Sequence, residues 1–210
     1  MPNHSFLTIQ GPSEGAFKDR GSRFLAFAYP VSSEPQVKGH LQDLRKKFFD
    51  ARHQGYAYIL GADQDRFRAF DDGEPNHSTG DPILGQIRSR KLTNVLVVVV
   101  RYFGGTKLGV SGLIQAYRSA AAEALARAVI VEHEVTLPMR LAFAFDSTPV
   151  VMKLIKDFAL VVRAQEFTHE TSMTVEVPLR SKESVESKLL LLRATGSSIQ
   201  WAALDPKDQG

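Results

Sequence analysis

The chain has 210 residues, of which 43% are hydrophobic and none is cysteine. A chain of this length and composition can build one large or two ordinary domains with real cores, so disorder is not expected. The lack of cysteine excludes a disulfide framework, a cysteine-ligated metal and a thiol nucleophile. No apolar run reaches the roughly 20 residues that span a membrane, and the first residues show no signal-peptide pattern. We therefore expect a cytoplasmic protein with no membrane association.

The formal net charge is only +3, but the charges are unevenly distributed. Residues 1–132 contain 17 Lys and Arg against 13 Asp and Glu, whereas residues 133–210 contain 9 against 10. An excess of this size permits a polyanionic partner without requiring one, since nucleic-acid-binding surfaces usually carry a denser basic stripe.

The first strand is predicted at Phe24–Tyr29, because residues 13–23 are polar and contain glycine, so order is expected from about residue 18. Ser33 and Gln36 then form a capping-box pattern, which predicts a helix that runs to about Ala51. Two strands joined by a turn-prone loop follow at Tyr56–Leu60 and Arg66–Phe70.

The next motif, DDGEPNHSTGDP at residues 71–82, is rich in carboxylates. Asp72 and Glu74, with His53 before them, are a candidate site for Mg²⁺, although their spacing matches no calcium loop. The favoured interpretation is structural: Asp72 starts a turn, and Asp81 caps a helix that begins with proline. For His53, a capping or helix-dipole role is favoured over proton transfer.

The most informative stretch is NVLVVVVRYFGGTKLGVSGLIQAYRSAAAEALAR, at residues 94–127. Val95–Val100 predicts a central strand covered on both faces, and a glycine-rich loop and a long alanine-rich helix follow it. Neither the Walker pattern nor the dinucleotide Gly-x-Gly-x-x-Gly pattern fits the glycine spacing. A weaker hypothesis remains, in which amides at the start of the helix and nearby cations bind a phosphate or carboxylate.

Seven residues are assigned to this candidate anion or nucleic-acid site: Arg101, Lys107, Gly104, Gly105, Gly109, Ser111 and Arg118. Ser111 is the expected N-cap, and Arg118 reaches the loop only by lying back along the helix. The alternative is that the glycines merely allow the chain to turn while the cations are solvated, and the residues leave both interpretations open.

Beyond Glu132 the pattern alternates strands and helices. Periodicity predicts six elements, in the order βαββαβ, at Val135–Phe145, Pro149–Phe158, Leu160–Phe167, Ser172–Pro178, Ser181–Ala194 and Ile199–Leu204. This is the split-βαβ order of ferredoxin-like domains.

Two of these motifs, RYFGGTKLGVSGLIQAY and DDGEPNHSTGDPIL, resemble the signature of the YigZ/IMPACT family, and the similarity continues from about Gly21 to the end of the chain. The resemblance implies an α+β protein of two domains. Residues 1–132 would resemble a ribosomal protein and domain IV of elongation factor G, and residues 133–210 would form a ferredoxin-like domain. Family members commonly carry Ser-Gly-Thr-Ala at residues 76–79, so His77 inherits no role.

Two classes of function follow from these observations. In the favoured one, the protein is non-catalytic and associates with RNA, the ribosome or translation factors through phosphate groups, which makes it a candidate regulator of translation. In the other, it is a metal-assisted enzyme acting on a small phosphorylated substrate or nucleotide, with Asp72 and Glu74 as ligands or acid/base groups and His53 as proton carrier. No cofactor is expected in the first class, and Mg²⁺ only in the second. The oligomeric state is left open.

Overall fold

The computed structural model describes residues 4–167 and 171–204. The chain divides into two compact units between His133 and Glu134, and the sequence placed the boundary after Glu132. Both units contain helices and strands, which confirms the α+β class. Within the described ranges no helix is long and apolar enough to cross a membrane.

Within its described residues, the first unit contains seven strands: β1 (Ser5–Ile9), β2 (Ser13–Asp19), β3 (Ser22–Pro30), β4 (His53–Leu60), β5 (Arg66–Phe70), β6 (Val95–Tyr102) and β7 (Ile130–Glu134). Five of them form an antiparallel sheet with strand order β2-β3-β6-β4-β5. Strands β1 and β7 pair separately as a two-stranded sheet. The helices are α1 (Glu34–Lys47), α2 (Gly80–Ser89) and α3 (Gly109–Arg127). The predicted hairpin at Tyr56–Leu60 and Arg66–Phe70 is therefore confirmed.

The prediction that order begins near residue 18, with Phe24–Tyr29 as the first element, is wrong. Both β1 and β2 precede that point, and β2 pairs along its whole length with β3. Strand β2 was missed because it is an edge strand whose polar residues face solvent. Gly15 in β2 also has a packing role, since a Cβ there would lie 2.3 Å from the backbone nitrogen of Ala124 in α3. Only glycine allows the strand and the helix to approach so closely.

The central position of β6 is confirmed. All side chains of Val95–Val100 are fully buried, and β6 lies between β3 and β4. The odd-numbered valines pack with residues of α2 and α3, and the even-numbered positions pack with α1. The buried stripe predicted for α3 is also confirmed, but the helix packs mainly on β2 and β3 rather than on the valine-rich strand.

The start of α1 differs in detail from the predicted capping box. Ser33 occupies the N-cap position, but its side chain makes no capping hydrogen bond. Gln36 Oε1 instead accepts hydrogen bonds from the backbone N–H and the hydroxyl of Ser32, at 2.8 and 3.2 Å. The helix ends at Lys47, four residues earlier than predicted.

The second unit has the predicted element order βαββαβ. Its elements are β8 (Thr136–Phe143), α4 (Thr148–Asp157), β9 (Val161–Phe167), β10 (Thr171–Pro178), α5 (Lys182–Ala194) and β11 (Ile199–Ala203). They form an antiparallel sheet with order β11-β8-β10-β9, and alternate residues of β10 are buried against the helices. This is the split-βαβ order. The similarity of the two units to elongation-factor-G domains stays a prediction.

Candidate functional site

A cleft of about 740 Å³ opens in the first unit where the start of β4 meets the end of β6. In the antiparallel register of these strands His53 lies opposite Arg101, so both side chains project from the same face of the sheet. The loops that follow β5 and β6 complete the walls. The lining residues are Asp50, Arg52, His53, Glu74, Pro75, Arg101, Tyr102, Phe103, Lys107, Leu108, Gly109, Val110 and Leu113.

Arg101 forms part of the cleft floor and is only 7% exposed. Its Nη1 donates a hydrogen bond to Glu74 Oε1 at 2.6 Å, and the hydroxyl of Tyr117 donates to the same oxygen at 2.8 Å. Burial, followed by the charge of Glu74, raises the pKa of Tyr117 well above its usual range, so its hydroxyl stays protonated and remains a donor. Arg101 was expected just after the strand as a ligand-binding cation. It lies within β6, and Glu74 compensates its charge.

Two other cations at the cleft are exposed. Lys107, from the loop after β6, and Arg52, just before β4, both line the cleft and form no ion pair with any described residue. Lys107 was among the predicted site residues. Arg52, next to the end of the first predicted helix, was not. Asp50 also lines the cleft and accepts a hydrogen bond from the Tyr102 hydroxyl at 2.8 Å.

The glycines of the loop after β6 have separate roles. Gly109 lines the cleft and is the first residue of α3, with a φ of +72°. Gly105 is exposed with a φ of +88° and does not line the cleft. Gly104 turns away from the cleft: its N–H donates to Ser22 Oγ at 3.1 Å, and a Cβ there would lie 1.9 Å from the carbonyl carbon of Gly21. The N–H group of Gly104 is therefore occupied by this hydrogen bond, and the residue packs against the turn between β2 and β3.

The start of α3 is also displaced from its predicted position. Leu108, not Ser111, occupies the N-cap position, and no side chain caps the helix. Ser111 lies in the first turn, and neither it nor Arg118 lines the cleft. The amides of the first helical turn lack acceptors within the helix and therefore create a local positive potential. No acidic residue in that turn cancels it.

The carboxylates after β5 hold the loop between β5 and α2 in place. Asp71 Oδ1 accepts from the N–H groups of Thr79 and Gly80, both at 2.9 Å, and so caps α2. The predicted cap, Asp81, is wrong, because α2 begins at Gly80, two residues earlier than predicted. Asp81 Oδ2 instead lies 2.6 Å from His77 Nδ1.

Asp72 and Glu74, the two predicted metal ligands, both bind arginines. Asp72 Oδ1 accepts from Arg45 at 2.6 Å, and its Oδ2 accepts from the backbone N–H of Gln54 at 2.8 Å. Glu74 binds Arg101, as described above. Among the residues that the structure describes, no three His, Asp or Glu side chains form a group suited to a metal ion.

His53 is the first residue of β4, so the predicted capping role at a helix end is wrong. Its Nδ1 lies 2.9 Å from the carbonyl oxygen of Asp72. A carbonyl oxygen can only accept, so Nδ1 carries a hydrogen, and in the neutral form of the ring Nε2 is the acceptor. A partly buried imidazole of defined tautomer thus lines the cleft beside the cations.

Comparison with known proteins assigns the chain to a family. Residues 20–125, which include all the lining residues of the cleft, match the model of the Impact N-terminal domain. The chain belongs to the YigZ/IMPACT family. The predicted family membership is therefore confirmed.

Two bacterial relatives are similar to more than half of the chain. IMPACT family member YvyE of Bacillus subtilis is 36% identical over 131 residues, which cover 62% of this chain and 60% of that protein. IMPACT family member YigZ of Escherichia coli is 35% identical over 123 residues, which cover 58% of this chain and 60% of that protein. The chain thus spans about three fifths of the length of these relatives.

The fold as a whole is similar to a solved one. A crystal structure described as that of a hypothetical protein aligns with a TM-score of 0.76 and 24% identity, over 97% of this chain and 99% of the other. At this identity the comparison supports the fold alone.

Proposed function

We propose that the cleft binds phosphate groups of RNA and that the protein is a non-catalytic, RNA- or ribosome-associated regulator of translation. One observation carries this proposal: Arg52 and Lys107 lie on the same cleft with no carboxylate paired to either among the described residues. The resemblance of the family's domains to a ribosomal protein and to elongation factor G, which the sequence motifs imply, supports the role in translation.

The electrostatics of the cleft favour an anion. Arg52, Lys107 and Arg101 contribute three positive charges, whereas Asp50 and Glu74 contribute two negative ones. Because Glu74 neutralises Arg101 in the interior, the charges that a ligand meets are the two exposed cations and the carboxylate of Asp50, which leaves a net charge of +1. The first turn of α3, which begins at Gly109, adds a local positive potential.

The test is RNA binding by single alanine variants. Each phosphate contact to a single strand contributes about 0.7 to the slope of log K against log salt, which corresponds to about a five-fold effect at 0.1 M salt. Lys107→Ala and Arg52→Ala should each weaken binding of a labelled single-stranded RNA by about that factor and lower the slope by about 0.7. Lys38→Ala, an exposed lysine of α1 outside the cleft, is the matched control and should change neither value.

The same variants should also sediment less with ribosomal particles at moderate salt. Equal binding by wild type, Lys107→Ala and Arg52→Ala, with unchanged salt slopes, would rule out the cleft as the phosphate site.

A second candidate, an enzyme acting on a small phosphorylated substrate, is supported by His53. Its defined tautomer leaves a proton acceptor on a cleft that also carries phosphate-binding cations. The metal-assisted form of this candidate has less support, because Asp72 and Glu74 are already bound to Arg45 and Arg101. A screen of phosphorylated metabolites with and without EDTA tests the enzyme candidate. Turnover that His53→Gln abolishes supports an enzyme. Turnover that EDTA also abolishes supports its metal-assisted form.

A further inference from the structure

We infer that the ligand of this cleft is an unpaired nucleotide of an RNA strand, whose base stacks on Phe103; this rests on the proposed phosphate-binding function. Phe103 follows β6, lines the cleft and is 57% exposed. A large aromatic side chain exposed beside two cations that pair with no described carboxylate is the combination by which proteins bind single-stranded nucleic acids, with bases on rings and phosphates on positive charges.

The Phe103 ring has a fixed support. The guanidinium carbon of Arg101 lies 5.6 Å from its ring centroid and also 5.6 Å from the centroid of Phe24. Arg101 is in turn held by Glu74 at 2.6 Å. One side of the ring therefore meets a buried, immobilised cation, and much of the rest of the ring is open to solvent. A supported ring loses little side-chain entropy when a base packs on it.

The size and lining of the cleft fit a nucleotide better than a lone phosphate. Its volume of about 740 Å³ is that of a site for a whole small molecule. Leu108, Val110 and Leu113 provide apolar surface next to the cations. A ligand that satisfies both kinds of surface needs a planar apolar part joined to an anion, as a nucleotide has.

The base must be unpaired and unstacked, because both faces of a base within a duplex are already covered by its neighbours. Stacking on a phenylalanine tolerates any base, since every base has a π-face. The expected ligand is thus a single-stranded loop or end with little sequence preference, not a duplex.

Fluorescence anisotropy with a labelled single-stranded octaribonucleotide tests this inference. Removal of a stacking side chain typically weakens binding about 5- to 150-fold per base. Phe103→Leu should weaken binding within this range and leave the salt slope unchanged, whereas Phe103→Trp should retain binding. Phe49→Leu is the matched control: Phe49 is 85% exposed and lies outside the lining of the cleft, so its replacement should have no effect.

The variants separate this inference from the function on which it rests. Weaker binding by Lys107→Ala together with wild-type binding by Phe103→Leu would overturn the stacking inference and leave phosphate binding in place. Wild-type binding by both variants would overturn both. Duplex RNA bound as tightly as the single strand, or a mononucleotide bound as tightly as the octamer, would also overturn the assignment to an unpaired nucleotide of a strand.

Discussion

Replacing Glu74 with glutamine removes the negative charge that Arg101 faces in the interior of the first unit. The side chains of Arg101 and Glu74 are 7% and 5% exposed, so solvent cannot replace the lost partner. Removal of one member of a buried ion pair typically costs about 3–5 kcal/mol, because the other charge is left buried and uncompensated. Glu74→Gln should therefore lower the free energy of unfolding of this unit by about that amount.

An exposed ion pair of the same unit provides the matched control. Glu123 and Arg127, four residues apart on α3, are 2.6 Å apart and their side chains are 43% and 65% exposed. Such pairs contribute only about 0.3–0.5 kcal/mol, so Glu123→Gln should be nearly neutral.

Urea unfolding followed by two probes measures the difference. Far-ultraviolet circular dichroism reports on both units, whereas the fluorescence of Trp201, the single tryptophan, reports on the second unit that contains β11. Glu74→Gln should shift the dichroism transition to lower urea. A double variant, Glu74→Leu with Arg101→Met, should lose less stability than Glu74→Leu alone, because it removes both charges. The reasoning is refuted if Glu74→Gln costs no more than Glu123→Gln, or if the double variant is the less stable one.

Two further predictions concern stability. The pKa of Tyr117 is raised in the folded protein, so its contribution to the free energy of unfolding is fully present below the unfolded pKa of about 10 and is lost as pH rises above it. Tyr117→Phe should therefore flatten the alkaline fall in the free energy of unfolding by up to about 1.4 kcal/mol per pH unit. Equal slopes for the two proteins, measured by urea unfolding at a series of pH values, would contradict this. Gly15→Ala should destabilise the first unit by about 1–3 kcal/mol, because the added Cβ clashes with Ala124. Gly39→Ala, in open space within α1, should instead stabilise the unit by about 0.5–1 kcal/mol. Thermal melts that show the same sign for both variants would disprove the packing account.

Local patterns were sufficient to predict most of the core. The apolar run at Val95–Val100, the buried stripe of α3 and the alternation of strands and helices after Glu132 all depend on residues close in sequence. Periodicity reports such burial directly, because a side chain that faces the core repeats with the geometry of its own element.

The features that were missed depend on residues far apart in sequence. Asp71 caps α2 from eight residues away, so the local search chose Asp81 instead. Strand β2 is stabilised by pairing with β3 and by contact with α3, although its own residues are mostly polar. Propensity and capping patterns contain no information about such partners.

The candidate site shows the same limit. Sequence spacing brought Lys107 and Gly109 to one loop, and the structure adds Arg52 from a different segment. The pairing of Arg101 with Glu74, 27 residues away, could not be read from either motif alone. A charge pattern in sequence does not distinguish a cation that meets a ligand from one that is neutralised in the interior.

This distinction has a measurable consequence for RNA binding. If all three cations of the cleft contacted phosphate, the salt slope would reach about 2.1 for a single strand, at about 0.7 per contact. Because Glu74 already neutralises Arg101, only Arg52 and Lys107 remain to displace counterions, and their joint contribution should be about 1.4. Arg101 then acts on binding through the position of the Phe103 ring, so its loss should weaken stacking rather than change the number of ions released.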